Sequence, residues 1–124
     1  MAFLYPKKGN MGVIYTLEKR IKPKKGLLYL LRSSSGVYKF GATRGSVKTR
    51  ASWATRKMSE HFEILETKIV KKPFKTESNF MFSVVNGVDV LDGCCEFFTL
   101  KKDGLKHVEL LQIFGEVDET KWIY

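Results

Sequence analysis

A chain of 124 residues, 44% hydrophobic and 13% aromatic, has the length of one domain and enough apolar content for a core that needs no staple. No apolar run approaches the roughly 20 residues that span a bilayer. The opening MAFLYPKKGN lacks a signal-peptide core, so a cytoplasmic protein with no membrane partner is expected. The net charge of +9 is unevenly spread: residues 1–75 hold 18 Lys/Arg against 4 Asp/Glu, and residues 76–124 hold 4 against 9. A first half at +14 and a second at −5 suggest a basic surface for a polyanion, with nucleic acid favoured over membrane because no basic helix carries a large apolar face.

Residues 1–25 read as a basic arm. Lys7, Lys8, Lys19, Arg20, Lys22, Lys24 and Lys25 stand there against Glu18. Val13 to Leu17 is a candidate strand by its β-branched and aromatic content. Lys24 and Lys25 are candidates for phosphate contacts, and an edge strand blunted by lysines is the plain alternative. The domain proper is expected over residues 26–124.

Leu27 to Arg32 and Val37 to Gly41 predict a β-hairpin around Ser33-Ser34-Ser35-Gly36. Its register decides the chemistry. A three-residue turn at Ser33–Ser35 sets Tyr29 opposite Lys39 on one face, and a four-residue turn pairs Tyr29 with Phe40 and turns Lys39 away. Ser46 is a good N-cap. The stripe Val47, Ala51, Ala54 and Met58 predicts a helix with Lys48, Arg50, Arg56 and Lys57 off the stripe and Trp53 packing beside it.

Phe62 to Val70 predicts a third strand, alternating around Phe62, Ile64 and Ile69. Thr76 is read as the cap of a second helix, with Glu77 in its first turn where a carboxylate suits the dipole. Phe80, Met81, Val84 and Val85 form its buried face, and Asn86-Gly87 closes it in the left-handed manner. Asp89 to Gly93 reads as a loop. Cys95 to Leu100 is apolar except for Glu96, and Leu105, Val108, Leu111 and Phe114 predict a last helix. The adjacent Cys94 and Cys95 make neither a relaxed bridge nor a zinc site, so free thiols in a reducing cytosol are expected. The order is β-β-α-β-α, a short Glu-bearing element and a C-terminal helix. The expected fold class is α/β of the α+β kind, a small antiparallel three-stranded sheet flanked by helices.

Taken in order, GLLYLL, VYKFGATR, Arg50 and the Glu of CCEFF resemble the GIY-YIG nuclease family. Leu27-Leu28-Tyr29 stands where the first motif has Gly-Ile-Tyr. Lys39-Phe40-Gly41 stands where the second has Tyr-Ile-Gly, or Lys-Ile-Gly in the phage and restriction-enzyme branch. The resemblance covers about residues 26–102. The first motif keeps only its Tyr, Ala54 stands where the helix often has a His, and Arg44 is a rival to Arg50. The resemblance implies a metal-dependent DNA endonuclease, phage-associated or related to homing and restriction enzymes, acting in a bacterial or phage-infected cell. Glu96 would hold one Mg²⁺ or Mn²⁺, Arg50 would grip the phosphate, and Tyr29 with Lys39 would activate the attacking water. Glu77 matches a second acid common in that branch. Arg44, Lys48 and Arg56 would contact DNA, and a homodimer would be one source of specificity.

Physical chemistry is consistent with the set. A hard cation keeps most of its waters, so one carboxylate can suffice, and an Arg fork fits a phosphate. Each residue also has a plain reading: Tyr29 as a half-buried strand tyrosine, Lys39 as a solvated lysine, Arg50 as a wet-face charge, Glu96 as an ion-pair partner, His61 as an ordinary histidine. Two other functions fit the same sequence, a DNA-binding module that does not cut and an adaptor that binds a protein through the acidic half.

Overall fold

The computed structural model describes residues 25–91 and 94–120, the side chains of Cys94 and Cys95 excepted. The arm over residues 1–24, with its candidate strand and Lys24, and the tail over residues 121–124 lie outside them.

Among the described residues five strands form one antiparallel sheet. They are β1 (Gly26–Ser33), β2 (Tyr38–Thr43), β3 (Phe62–Val70), β4 (Val88–Leu91) and β5 (Cys94–Leu100), in the spatial order β3-β1-β2-β5-β4. Among the described residues three α-helices accompany it: α1 (Val47–Met58), α2 (Pro73–Val84) and α3 (His107–Glu116). The fold is therefore α+β, with five strands where three were expected. The segment read as a loop becomes β4 because β5 offers it antiparallel partners, Val88 to Leu100 and Val90 to Phe98. Asp89 and Val90 are exposed there, so no apolar alternation marks the strand in sequence.

The sheet separates two cores. On one face Val47, Ala51 and Ala54 of α1 bury against Tyr29, Leu31, Phe62 and Phe97. On the other, Phe80 and Val84 of α2 and Leu110 and Phe114 of α3 bury against Leu28, Leu30, Tyr38, Phe40 and Phe98. Strand alternation produces this split, since neighbours such as Leu28 and Tyr29 leave on opposite sides. Helix α1 follows its predicted design. Ser46 Oγ accepts from Thr49 N at 3.3 Å, and Ser59 closes the helix at φ 54°, a left-handed position that Asn or Gly more often fills.

Other expectations need correction. Helix α2 starts at Pro73 in its first turn, not at Thr76, and no acid lies in that turn. Proline has no N–H to lose there and a preset φ. Thr76 is fully buried, and its hydroxyl donates to the Lys72 carbonyl at 2.9 Å. Glu77 is therefore too deep in the helix for the dipole to account for it. Helix α2 passes into a 3₁₀ turn, Val85–Gly87, and Gly87 is not left-handed. Its lack of a side chain serves close approach instead: a Cβ there would stand 2.8 Å from Leu105 Cβ. Val85 and Val108 are exposed, and Val117 takes the buried place beyond α3. Ile64 and Ile69 of β3 are exposed as well. A register shift between Leu30 and Leu31 breaks the alternation of this edge strand. Among the described residues no helix is long and apolar enough to cross a membrane.

Candidate active site

The hairpin register differs from both expected forms. Tyr29 faces Gly41 and Leu31 faces Lys39. Ser33 N donates to the Val37 carbonyl at 2.8 Å, which leaves Ser34, Ser35 and Gly36 as the turn, with Gly36 at φ 93°. The turn is three residues long, one position later than expected, so pairing moves by two residues and parity is kept. Tyr29 and Lys39 become diagonal neighbours on one face.

Gly41 is what permits this. A Cβ there would stand 2.6 Å from Tyr29 Cζ, so the ring lies over bare backbone. Gly41→Ala is expected to displace Tyr29 and to lower stability by roughly 1–3 kcal/mol, the usual cost of overpacking. A urea midpoint equal to wild type would contradict that close contact.

Lys39 is 1% exposed. A buried ammonium is costly unless it is paired and hydrogen-bonded. Lys39 Nζ donates to Tyr29 Oη at 2.9 Å and to Glu96 Oε1 at 2.9 Å. The rings of Tyr29, Trp53 and Phe97 surround it, with centroids at 5.0, 5.6 and 5.5 Å, so cation–π attraction adds to the pairing. Trp53 of α1, expected as a packing residue, is a wall of this site. It lies 6.2 Å from Phe97 and remains 38% exposed.

Glu96 enters from β5. The recorded pairing of β2 with β5 is Tyr38 to Phe98 and Lys39 to Phe97, so Glu96 is the next residue where the two strands part. Its side chain is 50% exposed while that of Lys39 is 2% exposed. The carboxylate thus joins the buried ammonium to solvent.

Glu77 of α2 lies within electrostatic reach of the cluster. Its carboxyl is pushed above the usual range, first by burial and then by the negative charge of Glu96, while Lys39 and Arg50 pull it back. The same interactions bring Arg50, exposed on α1, into the electrostatic reach of the cluster. Arg44 goes elsewhere: its guanidinium sits 5.1 Å over the Phe74 ring. Sequence reasoning assigned Glu77 to the helix terminus. The overlooked signal was Pro73, which places the helix start three residues earlier.

The raised value of Glu77 has a consequence for stability. The folded state holds its proton to higher pH than the unfolded chain does, so Glu77 costs nothing below the ordinary carboxylate pKa. Stability is lost as pH rises from there through the folded value. Glu77→Gln is therefore expected to raise the melting temperature near neutral pH, in chelator, and to leave it unchanged at about pH 4 or below. A loss at neutral pH would show that Lys39 and Arg50 outweigh burial and Glu96.

The remaining candidates lie apart from the cluster. Lys48, Arg56 and His61 line a groove between α1 and β3, and Lys25 is exposed just before β1. Among the described residues no group of three or more His, Cys, Asp and Glu side chains could hold a metal ion. Two carboxylates, Glu96 and Glu77, remain as donors. A hard cation that keeps most of its waters needs few protein oxygens.

No protein-family description matches this sequence, and no curated protein or solved structure matches the chain.

Proposed function

We propose that the chain is a metal-dependent DNA endonuclease of the GIY-YIG kind. The observation that carries this reading is the fully buried Lys39, hydrogen-bonded at once to Tyr29 Oη and Glu96 Oε1. These are three of the residues that the resemblance selects, drawn from two hairpin strands and from β5. A tyrosine, a lysine and a glutamate kept only for stability would more cheaply be replaced by apolar side chains.

Each residue has a task in phosphodiester hydrolysis. Arg50 presents a planar fork to a non-bridging phosphate pair. Lys39 fixes the Tyr29 oxygen by donating to it, which leaves a lone pair and the phenolic proton of Tyr29 to orient a water. Lys39 also holds one oxygen of Glu96, so the other faces solvent. Glu96 would hold Mg²⁺ or Mn²⁺, with the charge of Glu77 within reach, and the cation would polarise the phosphate and stabilise the leaving oxygen. Arg50 is preferred to Arg44 because it shares the electrostatic field of Glu77, whereas Arg44 rests on Phe74.

The reading is tested with supercoiled plasmid. The purified chain should nick it in Mg²⁺ and leave it intact in EDTA. Plasmid and duplexes left uncut across Mg²⁺ and Mn²⁺ concentrations would sink the enzyme reading.

A further inference from the structure

The proposed chemistry needs water and substrate to reach Tyr29 Oη and Lys39 Nζ, and in this structure both residues are shut in. Tyr29 is 2% exposed and Lys39 1%. Three rings stand around the ammonium, those of Tyr29, Phe97 and Trp53. Tyr29 lies over the Gly41 backbone, and the buried Phe97 meets Phe62 edge-on. Neither ring can move without opening the core on the α1 face. Trp53 differs. It comes from α1, not from the sheet, and it is 38% exposed. A second ammonium, that of the exposed Lys57 one helical turn on, stands 5.1 Å from its centroid. The ring therefore contacts a buried cation on one side of the site boundary and a wet one on the other. Glu96 is half exposed at the same boundary, but it is tied to Lys39 and is the proposed metal ligand.

We infer that Trp53 is the gate of the site: its ring closes over Lys39 at rest and swings outward to admit substrate, and Lys57 steadies the closed position. The identity of the substrate rests on the nuclease reading, whereas the gate is a property of the fold. The forces have the right size. Each cation–π contact at a partly exposed position favours the closed ring a few-fold, and two together favour it about tenfold. Opening still recurs quickly, because exposed side chains change rotamer in picoseconds to nanoseconds. The closed ring keeps water from the ammonium, and hydrogen bonds such as those of Lys39 to Tyr29 and Glu96 are stronger in a dry setting. The open ring lets a phosphate ester approach Tyr29 and Lys39. The fraction of molecules that are open then scales the apparent affinity for substrate.

The test is Trp53→Leu, which removes the ring and keeps an apolar helix former, beside Trp53→Phe, which keeps a ring. Each full chain is treated briefly with acetic anhydride, and acetylation is followed by peptide mass spectrometry. The rate at Lys39 is divided by that at Lys68 in the same molecule. Lys68 is half-buried on the α3 side of the sheet, bonded to the carbonyls of Phe114, Gly115 and Val117, so a general loosening of the fold cancels. The ratio should rise about tenfold in Trp53→Leu and stay within about twofold of wild type in Trp53→Phe. Lys57→Ala, which removes one of the two contacts, should raise it about threefold. An unchanged ratio in Trp53→Leu, or an equal rise in Trp53→Phe, overturns the gate. In the plasmid assay Trp53→Leu should lower KM about tenfold and leave kcat within about threefold. A fall in kcat at unchanged KM would make Trp53 a fixed wall and overturn the gate. A raised ratio in a chain that leaves plasmid uncut in Mg²⁺ upholds the gate and removes the nuclease reading.

Discussion

On the proposed nuclease reading, Glu96→Gln is expected to leave the protein folded and to lower plasmid nicking by on the order of 10²–10³-fold or more, the scale of losing one charged group aimed at the reacting phosphate. The amide oxygen of Gln can still accept the Lys39 hydrogen bond that Glu96 Oε1 accepts at 2.9 Å. What disappears is the charge. Lys39 then lacks its counter-ion, but Glu96 is half exposed, so water screens part of the loss and the cost should be about 1–2 kcal/mol. A second readout separates charge from shape. Glu96 is the second cause of the raised Glu77 carboxyl, so Glu77 should titrate lower in the variant when followed by NMR. Wild-type nicking by Glu96→Gln would remove Glu96 from the chemistry.

Lys39→Met is the complementary experiment, because stability and activity should part. Methionine is unbranched and of similar length, so it can fill the space among Tyr29, Trp53 and Phe97 without a cavity. Removing a desolvated ammonium is favourable, and losing the hydrogen bond to Tyr29 Oη is unfavourable by about 1 kcal/mol. The net change should stay within about 2 kcal/mol in either direction. Nicking should nonetheless fall by at least about 10²-fold, since Tyr29 and Glu96 lose the group that fixes both. Urea melts and plasmid assays on the same preparation measure the two effects. A Met variant that cuts like wild type would make Lys39 a structural cation. Lys39→Ala is a poorer probe, since it opens a hole in the core on the α1 face.

The two acids differ in how far the sequence announces them. Glu96 stands in CCEFFTL, where a lone charge in an apolar run is conspicuous, and the structure sets it against Lys39. Glu77 follows Thr76 and imitates a capped helix start. Pro73 in the first turn marks where α2 begins, and the fold packs it against Gly26, where a Cβ would stand 2.7 Å from Pro73 Cγ. In sequence Arg50 stands on the predicted helix with Arg44 as its rival. They separate when α1 carries Arg50 over the sheet toward the cluster and the α2 terminus brings Phe74 beneath Arg44.

Local pattern alone set the hairpin, the Ser46-capped helix α1 with its apolar stripe and the lone charge at Glu96. These depend on period, capping and turn chemistry, which act over a few residues. The parity of Tyr29 and Lys39 was left open between a three-residue and a four-residue turn; the three-residue turn that forms puts them on one face, since two residues ten apart share a face whenever an odd-length turn joins their strands. Tertiary structure decided the rest. Strand β4 exists because β5 pairs with it, and Lys39 is buried because aromatic rings from α1 and β5 close over it. These outcomes depend on partners up to some sixty residues away, and no local pattern records the distance between an ammonium and the carboxylate that makes its burial tolerable.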